Sequence, residues 1–139
     1  MDKKQTEKKI TEFLKRKIPG LLGIYIYGSF AENRMRPDSD IDIAFLTWKK
    51  ISAIDKWKIQ EELASLLDND IDLVDLKDAS VVLRAEVVEN GTRIYTENEY
   101  ECDNFEVTTY SMYADLNETR KDILNDIEEN IKCQKTNNK

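Results

Sequence analysis

The 139-residue sequence predicts an α/β (α+β) protein: one small mixed β-sheet flanked by helices, with a long C-terminal helix. Three observations lead there. Segments with helical spacing of apolar residues alternate with short runs rich in β-branched and aromatic residues. The length is that of one domain, so residues 1–139 read as a single unit. From Glu97 onward the chain has neither glycine nor proline, and apolar residues keep a helical period to about residue 133.

The elements follow in order. Residues 3–18 set Ile10, Phe13, Leu14 and Ile18 on one helical face, and Pro19-Gly20 ends the helix. LLGIYIYG, Leu21 to Gly28, reads as a buried strand broken by Gly28-Ser29. The FAEN that follows fits one or two helical turns. SDIDIAFLT alternates strictly: Asp40, Asp42, Ala44 and Leu46 share one strand face, and Ile41, Ile43 and Phe45 the other. A helix follows, with Ser52 as N-cap and Ile54, Trp57, Leu63, Leu66 and Leu67 as its apolar face. DIDLVDL, Asp70 to Leu76, is a third strand, with Asp70, Asp72 and Val74 on one face and Asp75 on the other. ASVVLRAEVVENG is a helix closed by Gly91 as its C′ residue, and TRIYTE a short fourth strand. Phe105, Met112, Leu116, Ile123, Leu124 and Ile127 mark the long last helix. Tyr110, Met112 and Tyr113 are candidates for a partner surface, with the helix core preferred for Met112, and CQKTNNK is expected frayed.

Composition excludes several classes. The net charge is −7, which argues against general nucleic-acid binding, because affinity for a phosphate backbone comes from Lys and Arg. There is no histidine, so imidazole bases, Ser-His-Asp triads and histidine metal sites are all absent. Cys102 and Cys133 form no CxxC pattern; free thiols in a reducing cytoplasm are the preferred reading and one intramolecular disulfide the alternative. The Lys-rich start lacks the apolar run of a secretory signal, and no stretch is long and apolar enough to span a membrane. Chemistry must run on carboxylates, hydroxyls, Lys, Arg, thiols or a carboxylate-bound metal.

Asp40 and Asp42 need an explanation. Residues i and i+2 on a strand lie about 7 Å apart. Two charges at that distance repel by about 2.4 kcal/mol at an effective dielectric of ~20. A bound divalent cation is the simplest counter-charge. Oxygen ligands without His or Cys select Mg²⁺, or Mn²⁺. The Gly28-Ser29 turn suits a phosphate: glycine lets backbone approach a ligand, and free N–H groups at a helix start form an anion site. A metal held by Asp40 and Asp42 would bridge to that phosphate. DIDLVDL supplies a third carboxylate, to hold a second metal or to take a proton from an attacking hydroxyl. Asp72 is preferred because it sits within its strand; Asp70 and Asp75 are the alternatives.

These residues resemble the nucleotidyltransferases of the DNA polymerase β superfamily, whose signature is G-S, ten residues, D-x-D: here Gly28, Ser29, Asp40 and Asp42. The short length, RPDSDIDIAFL and DIDLVDL are similar to the minimal nucleotidyltransferases, and SMYADL with TRKDIL to the antitoxins of HEPN/MNT toxin-antitoxin pairs. The resemblance implies a polymerase β-like fold. It implies transfer of AMP from ATP to a tyrosine hydroxyl of a cognate HEPN-domain ribonuclease toxin, which silences it. The partner would be that toxin in a hetero-oligomer, with no direct nucleic acid and no membrane. It implies that Asp40, Asp42 and Asp72 are the catalytic and metal-binding acids, and that Gly28, Ser29 and Arg36 bind the nucleotide. Many relatives carry Arg-Gly where this chain has Glu32-Asn33; Arg34 and Arg36 are candidates to compensate, with surface ion pairing the alternative role for either. Arg120 reads either as a salt bridge or as a contact to nucleotide or partner. The competing readings are an antitoxin that acts by occlusion alone and a small-molecule nucleotidyltransferase.

Overall fold

The computed structural model describes residues 2–28 and 40–137, with side chains as far as Ile131. Among these residues the order is α1 (Lys3–Lys17), β1 (Leu21–Tyr27), β2 (Ile41–Thr47), α2 (Ala53–Leu67), β3 (Ile71–Asp75), α3 (Val81–Asn90), β4 (Thr92–Thr96) and α4 (Glu99–Asn137). The strands form one sheet in the order β3-β2-β1-β4. β1 runs antiparallel to β2 and to β4, while β2 and β3 are parallel, so the sheet is mixed as expected. The FAEN segment lies outside the described residues.

Both faces of the sheet are covered, which is why β1 is buried along its whole length. On one face Ile24, Ile26, Ile41, Ile43, Phe45 and Leu73 meet Ile10, Phe13 and Leu14 of α1 and Ile59 and Leu63 of α2. On the other, Leu22, Tyr25, Tyr27, Ala44 and Leu46 meet Val87 of α3 and Cys102 and Phe105 of α4. The strict alternation of β2 thus sorts its residues between two cores: Ile41, Ile43 and Phe45 into one, Ala44 and Leu46 into the other.

Local chemistry sets the helix ends. Ser52 and Ser80 accept hydrogen bonds from Asp55 N and Leu83 N, each 3.1 Å, as N-caps do. α2 ends on Asp68 at φ 50°, a left-handed position that Asp tolerates better than most residues.

Four expectations are corrected. In α2 the buried residues are Ile59 and Leu63, while Ile54, Trp57 and Leu66 are exposed. Gly91 is the C-cap of α3 in extended backbone (φ −89°, ψ 177°), not a left-handed C′ residue. It is glycine because a Cβ there would collide with Val87 O and meet Ile26 O at 2.9 Å. α4 runs to Asn137, so most of CQKTNNK is helical. Met112 is exposed. Cys102 is buried and free, as its reading expected.

Candidate functional site

Strand register builds the site. Asp42 lies opposite Asp72 on parallel β3 and opposite Tyr27 on antiparallel β1. One row of residues therefore crosses three strands: Asp72, Asp42, Tyr27. Adjacent strands stand about 4.8 Å apart, closer than residues i and i+2 along one strand. The strongest carboxylate repulsion at Asp42 is therefore with Asp72, ahead of Asp40. The row sits on the sheet face that carries α3 and the start of α4, since Tyr27, Ala44 and Val74 all pack there.

Gly28 follows Tyr27 at φ 74°, a left-handed conformation that strains an L side chain. A Cβ at Gly28 would also collide with Asp42 Oδ2. The glycine serves two purposes: it turns the chain out of β1, and it lets that turn lie against the Asp42 carboxylate.

The electrostatics agree with the register. The Asp42 carboxyl is pushed above its ordinary value, first by burial, then by Asp72 and then by Asp40. Among the described residues no ion pair involves Asp40, Asp42 or Asp72. Burial, then Asp72, Asp42 and Glu86, raise the Tyr27 phenol, so it stays neutral near pH 7. Asp40 and Asp72 are exposed and Asp42 is half-buried.

Of the sequence-expected acids, Asp40, Asp42 and Asp72 gather at one end of the sheet. Asp75 does not join them. It is buried at the other end of β3, where its Oδ1 accepts from Lys77 N at 3.0 Å and its carbonyl accepts from Asp78 N and Ala79 N. Asp75 holds the turn into α3. Asp70 precedes β3, is exposed, and accepts Ile41 N at its carbonyl. Ser29, Arg34 and Arg36 lie outside the described residues. Arg120 is exposed and makes no ion pair among the described residues, so the salt-bridge reading does not hold for them.

Sequence reasoning missed Tyr27 and Glu86. The signal for Tyr27 was its place one residue before Gly28. Glu86 is found only once α3 is laid over the sheet.

No three acidic, Cys or His side chains among the described residues form a ready cage for an ion. The donors at the site are oxygens only. That set fits Mg²⁺, which binds one or two carboxylates and takes its remaining ligands from water and substrate phosphates. The repulsion at Asp42, which no cation among the described residues offsets, is the observation that favours a cation there.

Comparison with known proteins identifies what the whole chain is similar to. Residues 8–100 match the family described as polymerase beta, nucleotidyltransferase. The chain is 41% identical over 122 residues to the protein adenylyltransferase MntA of Shewanella oneidensis, covering 87% of this chain and 86% of that protein. A crystal structure of a toxin-antitoxin with AMP-PNP superposes with a TM-score of 0.80 at 40% identity, over 87% of this chain and 97% of that one. A structure of the tri-AMPylated Shewanella oneidensis HEPN toxin in complex with its MNT antitoxin matches with a TM-score of 0.77 at 37% identity, over 91% and 98% of the two chains.

Proposed function

The chain belongs to the polymerase beta nucleotidyltransferase family, and we propose that it is an antitoxin that transfers AMP from ATP to a tyrosine hydroxyl of a cognate HEPN toxin and so neutralises it. The observation that carries this reading is the row of Asp72 and Asp42 beside a left-handed Gly28. It puts carboxylates for a metal next to a turn suited to phosphates. The relatives supply the direction: one is a protein adenylyltransferase, and the HEPN toxin of another complex carries AMP.

The chain's residues divide the work as follows. Gly28 and Ser29 hold the triphosphate, with Arg36 as its cationic support. Asp40 and Asp42 hold Mg²⁺, or Mn²⁺. When bound, the ion neutralises phosphate charge and makes the α-phosphorus more open to attack. Asp72 accepts the proton of the tyrosine hydroxyl as its oxygen attacks that phosphorus. The new O–P bond forms as the bond to pyrophosphate breaks, and pyrophosphate carries the charge away. Tyr27, neutral between Asp42 and α3, keeps water from one side of the site.

The reading places the protein in the cytoplasm, bound to its toxin, with no direct contact to nucleic acid. No described helix is long and apolar enough to cross a membrane.

Intact mass spectrometry tests it. The protein and the HEPN toxin are mixed with ATP and Mg²⁺, alongside the Asp40→Asn and Asp42→Asn variants. The toxin is expected to gain one or more AMP units with the wild type and none with either variant. An unmodified toxin that is still silenced by both variants would leave occlusion as the mode of action.

A further inference from the structure

α4 outruns the body of the protein. Its first third is anchored: Cys102 and Thr109 are buried, and Phe105 packs in the core beside α3. Cys102 Sγ donates to Leu22 O at 3.3 Å, Tyr25 OH donates to Glu106 at 3.3 Å, and Arg93 reaches Asp103 at 3.0 Å and Glu106 at 3.2 Å. Among the described residues nothing beyond Thr109 is buried. Tyr110 to Ile131 is about 33 Å of helix at 1.5 Å per residue.

The packing face does not stop where the body does. Cys102, Phe105 and Thr109 point inward at steps of three and four. The same steps continue through Tyr113, Leu116, Arg120, Ile123, Ile127 and Ile131. Tyr113 and Leu116 are half-buried, and beyond them the stripe faces solvent: Ile123 is 54% exposed, Ile127 48% and Ile131 47%, with Leu124 beside them at 61%. The acids Asp115, Glu118, Asp122 and Glu129 fall on the opposite face. The polymerase beta family match ends at residue 100, before this stripe begins.

Arg120 stands in the middle of the stripe. Its helical neighbours at three and four residues are Leu116, Asn117, Ile123 and Leu124, so no acid of α4 can reach it. Lys121 next to it does have Glu118 in reach. A guanidinium set in an apolar seam without a counter-charge is strongly unfavourable once the seam is covered. Two copies of this chain packed in register along the stripe do not supply that charge. Arg120 lies midway between Thr109 and Ile131. A second copy aligned along the stripe, parallel or antiparallel, would place Arg120 against Arg120.

We propose that Tyr110–Ile131 is a docking arm for an apolar helical face of the protein that receives AMP, and that a carboxylate of that partner pairs with Arg120. The identity of the occupant rests on the transferase reading above. The arm holds the acceptor protein while the carboxylate row, on the same face of the sheet as the root of α4, modifies it.

The test uses the full chain co-expressed with its cognate HEPN-domain protein, with capture measured by co-purification and by titration. Wild type is expected to capture the partner, and the free chain to be monomeric by light scattering. Ile123→Asp combined with Ile127→Asp is expected to abolish capture, and Arg120→Glu to weaken it at least about 30-fold. Arg120→Lys should retain most of the affinity. All should melt as wild type does, since these side chains are exposed. Arm variants that capture the partner as wild type does would overturn the proposal. So would a wild type that captures nothing, or a free dimer that the same substitutions dissolve. Capture through the arm without any AMP on the partner would sink the transferase reading and leave the arm standing. AMP transfer at wild-type rate by the arm variants would do the reverse.

Discussion

At Asp42 a carboxylate loses water, feels Asp72 and Asp40, and meets no described cation. Its folded-state pKa is raised, so the native state binds its proton more readily than the unfolded chain. That contribution to stability is present below the ordinary carboxylate pKa and is lost as pH rises through the folded value. Asp42→Asn should therefore melt higher than wild type near pH 7, by about 4 °C for each kcal/mol of repulsion removed, and the gap should close as the pH is lowered. Scanning calorimetry at several pH values measures this. The same variant should lose AMP transfer at least about 100-fold, the loss expected when a metal ligand worth several kcal/mol is removed. Mn²⁺ should raise the melting temperature of wild type and leave the variant unmoved. Gly28→Ala should go the other way on stability. It forces a left-handed alanine into the Asp42 carboxylate, at about 1–2 kcal/mol for the backbone alone, with activity lost as well. Asp40 and Asp42 were legible from strand alternation, and the preference for Asp72 came from its place within a strand. What alternation does not give is register. Only pairing shows that Asp72, and not Asp40, is the nearer charge, or that Tyr27 completes the row.

The elements themselves were legible because each has both a period and a punctuation: Pro19-Gly20 after α1, serine caps before α2 and α3, Gly28 after β1. Which face each helix buries was less so. α2 offers more apolar positions than the sheet can cover, and the edge of β3 selects Ile59 and Leu63 while Trp57 stays in solvent. Gly91 shows the same limit. Its position after α3 suggested a left-handed cap, but its reason is the close approach of α3 to β1. A similar close approach joins β1 to α4. A Cβ on Gly23 would stand 2.6 Å from Cys102 Sγ and 3.3 Å from Tyr95 O. Gly23→Ala should cost about 1–3 kcal/mol in urea denaturation by overpacking. Adding Cys102→Ala should recover part of that loss, because the two side chains compete for one space and their effects cannot add.

Over the whole molecule, every buried residue described lies at or before Thr109, while the helix continues for about six more turns to Ile131. Core and arm are thus built for different partners: the core residues for each other, the stripe for a surface the chain does not contain. In proteins most of a helix's stability comes from tertiary packing of its amphipathic face, which this segment lacks in the free chain. Two consequences can be measured. Amides beyond Thr109 should exchange quickly with deuterium in the free chain and become protected in the complex with the HEPN protein. Deleting residues 117–139, beyond the half-buried Tyr113 and Leu116, should leave the melting temperature within about 2 °C, because changes away from packed contacts stay within about 0.5 kcal/mol. AMP-PNP binding should persist, since the carboxylate row and Gly28 are untouched, while capture of the toxin is lost. A large drop in melting temperature on truncation would show that the distal helix folds back on the domain, and both the arm and this division of the molecule would fail together.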